Sequence, residues 1–182
     1  MNELPSFGIG QNGQTFFRWD EPDQNRRHHV FFAVLVEKPI NALLAKKRVS
    51  FRRELGLRGT LIPESHIHIT LVGLGYHQRR PAGLIGVARH IGSLIQARPF
   101  EVSLDRLSAF GGGALVLRSS DSSPVLQAFW CNLSAVIDDS PLKPFVSKSI
   151  EPHVTLLRDR QRVPKVRERA LNQSGGLCRI LH

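Results

Sequence analysis

The chain has 182 residues, of which 41% are hydrophobic and 22% are charged, as expected for one globular domain with its own core. No apolar run is long enough to cross a bilayer. The N-terminus has no basic stretch followed by an apolar one, so no secretory signal is predicted. The two cysteines, Cys131 and Cys178, have no paired spacing, which indicates a reducing compartment and predicts a cytoplasmic protein.

The net charge of +10 is the unusual bulk property of this chain. Basic residues cluster at 46–48, 52–53, 79–80 and 158–169. A positive surface raises the local concentration of phosphate-bearing partners and speeds their encounter. A solvated basic surface without a partner is the alternative, and charge alone does not distinguish RNA from other anions.

The first part of the chain divides into an arm and the beginning of a domain. Residues 1–27 are polar and predict a flexible N-terminal arm, while 28–182 predict a single domain. The stretch "HHVFFAVLVEKP" predicts a buried strand. The stretch "INALLAKKRVSFRRELGL" predicts an amphipathic helix that ends near Gly56 or Gly59.

The remaining elements follow the same alternation of strand and helix. A strand is predicted over 65–72, and a helix begins at Pro81 in "PAGLIGVARHIGSLIQA". The strands "FEVSLDRL" and "ALVLR" flank the glycines 111–113 and predict a hairpin. The helix "SSPVLQAFWCNLSAVIDD" and the strand "SIEPHVTLLRD" come next. This order predicts an α+β fold with two similar halves, each ending in a strand that carries a histidine.

The stretch "SHIHITLVG" raises the first functional question. His66, His68 and Thr70 recur at intervals of two, so on a regular strand they line one face while the apolar residues between them line the other. His66 and His68 together could offer two ligands to a metal ion. A third ligand at a useful spacing is missing, so no metal site is predicted.

The tetrapeptide His-x-Thr-Leu occurs twice, as "HITL" from His68 and as "HVTL" from His153. The two copies use two of the four threonines in the chain, Thr70 and Thr155. Two copies arise by chance in roughly a few of ten thousand shuffled chains, so we interpret the repeat as functional.

Two imidazoles suit acid and base chemistry on a phosphate. Near neutral pH an imidazole exists as either acid or base, so one can accept a proton from water while the other donates one to a leaving oxygen. The Thr hydroxyl two residues later shares the face of its histidine and can donate to a phosphate oxygen. The sequence therefore predicts a phosphodiester site formed by His68, Thr70, His153 and Thr155 that needs no metal.

The motifs "HITLVGLG" and "EPHVTLLR" resemble the two signature motifs of the 2H phosphoesterase superfamily, in particular its LigT-like branch of bacterial RNA 2',3'-cyclic phosphodiesterases or 2'-5' RNA ligases. The stretch "RRHHVFFAVLVEKP" resembles the opening strand of that family, and "FEVSLDRLSAFGGGALVLR" resembles its central hairpin. The resemblance covers roughly residues 28–165.

The resemblance implies an α+β fold that is bilobal and pseudo-twofold, with two antiparallel sheets around a central cleft and helices outside. It implies that His68 donates a proton to the leaving oxygen and that His153 accepts one from water. It also implies Thr70 and Thr155 as phosphate ligands. Arg158 matches the Arg that closes the second motif of the family, and its guanidinium would suit charge stabilisation at the phosphate. Arg158 follows His153 by five residues, an odd interval that turns it away on a regular strand unless a bulge intervenes.

The activity that the resemblance implies is metal-independent hydrolysis of RNA 2',3'-cyclic phosphodiester ends to 2'-phosphate ends, with 2'-5' ligation as the reverse reaction. The implied partner is RNA or an oligonucleotide, with no cofactor, membrane or obligate protein partner. Two alternatives stay open: a non-catalytic nucleotide- or RNA-binding module, and a phosphodiesterase for a small cyclic nucleotide such as ADP-ribose cyclic phosphate. The chain departs from the family pattern at Gly73, where relatives carry a bulky apolar residue, and at its C-terminal end.

Overall fold

The computed structural model describes residues 28–171. The predicted N-terminal arm at 1–27 and the atypical C-terminal end, 172–182, lie outside the described residues.

The described residues form seven strands and three helices. The strands are β1 (His28–Leu35), β2 (Thr60–Leu61), β3 (His68–His77), β4 (Arg106–Phe110), β5 (Ala114–Arg118), β6 (His153–Arg158) and β7 (Arg169–Ala170). The helices are α1 (Lys38–Glu54), α2 (Ala82–Leu94) and α3 (Pro124–Asp138). The predicted α+β class is confirmed. None of the helices in this part of the chain is both long and apolar enough to span a membrane.

The strands form one antiparallel sheet in the order β1–β3–β6–β5–β4–β7, with β2 also paired to β6. The two strands that carry the repeated motif, β3 and β6, are neighbours at the centre. They join through the pair Ile69 and Val154. The two predicted sheets are therefore the halves of one sheet, because the motif strands come close enough for their backbones to pair.

The core lies on one face of this sheet. Ile69, Val154 and Leu156 are fully buried and Leu71 is 5% exposed. The motif histidines and threonines, which alternate with them, are half-buried. The helices contribute mainly through α3, whose apolar face is buried. That face consists of Leu126, Phe129, Trp130, Leu133 and Ile137. The alternation of the motif strands therefore directs their polar residues away from the core.

The strand predicted from Ser65 begins only at His68. Residues Glu64–His66 instead form a single 3₁₀ turn, in which the His66 N–H donates to the Pro63 carbonyl at 2.9 Å. The prediction that His66 shares the face of His68 is therefore wrong, and His66 is exposed ahead of the strand.

The first strand was predicted to be buried, but β1 lies at the edge of the sheet. Val34 is its one buried residue, and Leu35 is 69% exposed. An edge strand has a partner on one side only, so a run of apolar residues does not by itself predict burial.

Candidate active site

The four motif residues lie together on the open face of the sheet. Ile69 lies opposite Val154, and continuing this antiparallel register brings His68 towards Thr155 and Thr70 towards His153. The charge of His153 also lowers the pKa of His68, so the two motif histidines lie near each other across this junction. The structure thus brings together the four residues that the repeated motif singles out.

Both histidine rings are held by the same local hydrogen bond. The Nδ1–H of His68 donates to the carbonyl of His66 at 2.8 Å, and the Nδ1–H of His153 donates to the carbonyl of Glu151 at 2.8 Å. A carbonyl carries no proton, so each Nδ1 must be the protonated nitrogen. The Nε2 atom of each ring is therefore left to accept or donate a proton.

An aromatic ring packs against each histidine. The rings of Phe31 and His68 stack with centroids 4.6 Å apart, and the rings of Phe110 and His153 meet at a tilt with centroids 4.7 Å apart. With one ring nitrogen bonded and an aromatic ring in contact, each imidazole has little freedom to rotate. His29 extends the first stack, with its ring 4.7 Å from Phe31.

Burial lowers the pKa of both motif histidines below the usual value of 6.5. At His68 the nearby charge of His153 lowers the pKa further, and the bond to the His66 carbonyl opposes this. At His153 the bond to the Glu151 carbonyl and the Glu151 charge oppose the shift, whereas the charge of Arg158 adds to it. Without a bound anion, both rings therefore favour the neutral form at neutral pH.

Arg158 shares the face of His153 because β6 contains a bulge. Thr155 pairs with Val116 and Leu157 pairs with Leu115, which leaves Leu156 as an extra residue. Leu156 and Leu157 are both buried, and Arg158 next to them is half-exposed like His153 and Thr155. Because of this bulge, Arg158 lies on the same face as His153 although the two residues are an odd number of positions apart.

The chain directly after Arg158 is anchored by a buried carboxylate. Asp159 is 8% exposed, and one of its oxygens accepts the backbone N–H groups of Arg58 at 2.8 Å and Gly59 at 3.0 Å. Its other oxygen accepts those of Gln161 at 3.2 Å and Arg162 at 3.0 Å. These bonds lower the pKa of Asp159 and hold the end of β6 in place.

A charged network lies beside His153. Arg118 pairs across the sheet with His153, and its guanidinium contacts Glu151 at 3.4 Å and Glu168 at 2.5 Å. Glu168 also accepts the hydroxyl of Ser108 at 2.7 Å. The bonds from Arg118 and Ser108 lower the pKa of Glu168 to about 2. Arg118 therefore links the segment before β7 to the residue that holds the His153 ring.

Sequence reasoning missed the second set of residues around the site. Phe31, Phe110, Asp159 and Arg118 belong to it, and none carries a recognisable motif of its own. Phe31 lies in the apolar run of β1, where alternation with Val34 could have placed it on the open face. Asp159 directly follows the second motif, but two of its partners, Arg58 and Gly59, are about a hundred residues away along the chain.

Side chains that could hold a metal ion are dispersed over the described part of the chain. Within residues 28–171, no three His, Cys, Asp or Glu side chains are grouped as metal ligands. His66, the alternative metal ligand suggested by the sequence, lies in the turn before β3.

The sequence matches the family model of the 2'-5' RNA ligase superfamily over residues 39–174. The chain therefore belongs to this superfamily, the 2H phosphoesterases, which are phosphoryl-transfer enzymes. The sequence matches none of the curated proteins with which it was compared.

Solved structures with the same fold include a phosphoesterase, with a TM-score of 0.64, 19% identity and coverage of 84% of each chain. The protein TT0787 of Thermus thermophilus has a TM-score of 0.60 and 19% identity, with coverage of 85% of this chain and 94% of its own. Escherichia coli LigT complexed with ATP has a TM-score of 0.59 and 20% identity, with coverage of 83% and 82%. At these identities, the similarity shows the fold.

Proposed function

We propose that this protein hydrolyses the 2',3'-cyclic phosphate ends of RNA to 2'-phosphate ends without a metal ion. The observation that carries the proposal is the matched pair of histidines. Each has its Nδ1–H bonded to the carbonyl two residues earlier, so in each ring Nε2 is the atom left to exchange a proton with the substrate. We place the reaction in the cytoplasm, where thiols such as that of the exposed Cys131 stay reduced.

In the proposed reaction a water molecule attacks the phosphorus of the cyclic diester. Its proton passes to Nε2 of one histidine, the bond between phosphorus and the 3'-oxygen breaks, and Nε2 of the other histidine protonates that oxygen. The products are a 2'-phosphate and a free 3'-hydroxyl. Each proton transfer contributes about 10²–10⁴-fold to the rate.

We assign the donor role to His68 and the acceptor role to His153, as the family resemblance implies. The hydroxyls of Thr70 and Thr155 and the guanidinium of Arg158 would stabilise the charge that develops on the non-bridging oxygens.

The same site suits ligation. If the 5'-hydroxyl of a second RNA replaces water, the 3'-oxygen again leaves and a 2'-5' linkage forms. His153 then accepts the hydroxyl proton and His68 protonates the 3'-oxygen, so no further group is needed.

The test is hydrolysis of an oligonucleotide with a 2',3'-cyclic phosphate end in EDTA, between pH 5 and 9. We expect turnover that survives chelation, and losses of at least about 10²-fold in His68→Ala and in His153→Ala. His90→Ala is the matched control, because His90 is exposed on α2 and distant in sequence from both motifs. We expect this control to retain full activity.

Three other outcomes would overturn the proposal. Turnover that disappears in EDTA and returns with a divalent metal would contradict the two-histidine mechanism. Binding of the oligonucleotide by folded protein without any turnover would instead support the binding-module alternative. Turnover of ADP-ribose cyclic phosphate in preference to every RNA end would instead identify a small cyclic nucleotide as the substrate.

A further inference from the structure

A groove lies at the β7 edge of the sheet, between the end of α1 and the segment that precedes and includes β7. Its volume is about 710 Å³ and it is open to solvent. Four cationic side chains, those of Arg162, Lys165, Arg167 and Arg169, line it together with one carboxylate, that of Glu168. We call this feature the basic groove.

Two of the four cations hold the groove together. Arg169 contacts Glu54 of α1 at 3.1 Å and lies over the ring of Phe51 at 5.7 Å. Arg162 donates a hydrogen bond to the carbonyl of Gly56. These contacts fix the segment against α1, so the shape of the groove is set before any ligand binds.

The other two cations are available for a ligand. Lys165 and Arg167 are exposed, and neither forms an ion pair with any residue from 28 to 171. The carboxylate of Glu168 does not offset them, because it is already bonded to Arg118 and Arg106, at 2.5 and 3.2 Å. The groove therefore presents uncompensated positive charge to solvent.

The groove is connected to the candidate active site through Glu168. Its partner Arg118 lies directly opposite His153, and Arg106 lies opposite Arg118 on the next strand. Strands β6, β5, β4 and β7 are successive neighbours, so β7 lies about 14 Å from β6 at roughly 4.8 Å per strand. A stacked single strand, rising roughly 3.4 Å per nucleotide, spans that distance in about four nucleotides.

We propose that the basic groove binds the phosphates of the RNA strand upstream of the cyclic end. This inference rests on the proposed function, and it adds a second contact that only a polynucleotide can reach. Lys165 and Arg167 bind the backbone by charge, so the contact is independent of sequence and weakens with salt. A cyclic mononucleotide fills the active site alone and leaves the groove empty.

The test compares the full-length protein with the double variant Lys165→Ala/Arg167→Ala on two substrates, cytidine 2',3'-cyclic phosphate and an octanucleotide with the same cyclic end. We expect kcat/KM to fall for the octanucleotide and to stay unchanged for the mononucleotide. The slope of log(kcat/KM) against log salt for the octanucleotide should become shallower by about 1.4, or roughly 0.7 for each lost single-strand phosphate contact.

The matched control is Arg79→Ala/Arg80→Ala, which removes the same charge from the exposed turn between β3 and α2. An equal loss of kcat/KM in the control, or an equal loss on both substrates, would overturn the proposal.

Binding of a fluorescent octanucleotide with a 3'-hydroxyl end, measured by anisotropy, gives a readout independent of catalysis. Unchanged binding in Lys165→Ala/Arg167→Ala would overturn the proposal that the basic groove binds RNA, even if the protein hydrolyses the cyclic end. Weakened binding by a protein that hydrolyses neither substrate would support the groove and reject the proposed function.

Discussion

The carbonyl groups of His66 and Glu151 determine the protonation pattern of the candidate site. Each accepts the Nδ1–H of the histidine two residues later at 2.8 Å, so neither imidazole can present its other tautomer without breaking a bond. His66, which the sequence suggested as an extra imidazole on the open face, therefore contributes through its backbone carbonyl, and the charge of its ring adds to the lowering of the His68 pKa. The side chains that carry the chemistry are positioned by main-chain atoms close to them in the sequence.

At this scale the first prediction concerns pH. Burial lowers the pKa of both His68 and His153, so in the free enzyme both rings lose their protons below the usual 6.5. Catalysis needs one protonated and one neutral ring, and that population is largest between the two apparent pKa values of the pair. We expect kcat/KM for a cyclic mononucleotide to peak below pH 6.5 and to fall as the pH rises towards 8.

The measurement is the pH profile of kcat/KM between pH 4.5 and 8.5 at constant ionic strength. Glu151→Gln provides a second profile, because the Glu151 charge raises the pKa of His153. Loss of the Glu151 charge should move one limb of the pH profile to lower pH, while His153 keeps its bond to the backbone carbonyl of residue 151. A wild-type maximum above pH 7 would contradict the prediction.

Among the elements, β3 and β6 share the same irregularity at equivalent places. The pairing of β1 with β3 skips Leu71, directly after Thr70, and the pairing of β5 with β6 skips Leu156, directly after Thr155. A bulge leaves two successive residues on one side, so the alternation restarts one residue later. In β6 this turns Arg158 to the open face, whereas β3 has Gly73 at the corresponding place, five residues after its histidine.

The second prediction tests the support beneath Arg158. A Cβ atom at Gly59 would lie 1.8 Å from the backbone oxygen of Arg158, so Gly59→Ala must displace the end of β6 or the chain that carries it. Overpacking of this kind costs about 1–3 kcal/mol. We expect Gly59→Ala to lower the free energy of unfolding by at least that amount and to lower kcat on a cyclic mononucleotide.

The measurements are urea unfolding and steady-state kinetics. Gly86→Ala is the matched control, since Gly86 lies within α2 and a Cβ atom there meets nothing within 4 Å. An exposed helical glycine replaced by alanine gains up to about 1 kcal/mol, so this control should be as stable as wild type or more stable, with unchanged kcat. Equal free energies of unfolding and equal kcat values in the two variants would show that the close approach of Gly59 to Arg158 does not support the site.

For the whole molecule, two features stand out: the narrow junction between the halves and their different chemistry. The halves meet where Ile69 pairs with Val154. Beside His68 on β1 lies the exposed Leu35, whereas beside His153 on β5 lies Arg118 with its two carboxylate partners. The halves therefore resemble each other in backbone arrangement but differ in charge.

The third prediction tests that junction. Ile69 is fully buried, and Ile69→Ala should cost about 2–5 kcal/mol through lost burial and the cavity that remains. Because Ile69 also sets the spacing of β3 against β6, we expect a fall in kcat for a cyclic mononucleotide in the fraction of protein that stays folded.

Ile91→Ala on α2 is the matched control, since Ile91 is buried to 2% exposure away from the junction. Urea unfolding should show a similar loss of stability in both variants, and kinetics below the unfolding transition should show a loss of kcat only in Ile69→Ala. An unchanged kcat in Ile69→Ala would mean that the spacing of the motif strands does not depend on this pair.

Much of the element order was predictable because it depends on local patterns. The predicted helices and the hairpin around the glycines 111–113 are present, since amphipathic periodicity and turn residues act over a few neighbours. The first strand of that hairpin is Arg106–Phe110, however, and not the predicted stretch "FEVSLDRL" at 100–107. The start of β3 and the exposure of β1 were not predictable in this way. The first depends on the turn at Glu64–His66, and the second on which strand occupies the edge of the sheet.

By itself, the sequence determined that a His and a Thr share a face in each of two strands, because side chains alternate along any strand. It also determined the excess of positive charge. The tertiary structure alone decided that the two strands lie side by side, that a bulge turns Arg158 to their face, and that the segment before β7 forms a groove against α1. These features depend on contacts between residues as far apart as Gly56 and Arg162, and local periodicity carries no information about such contacts.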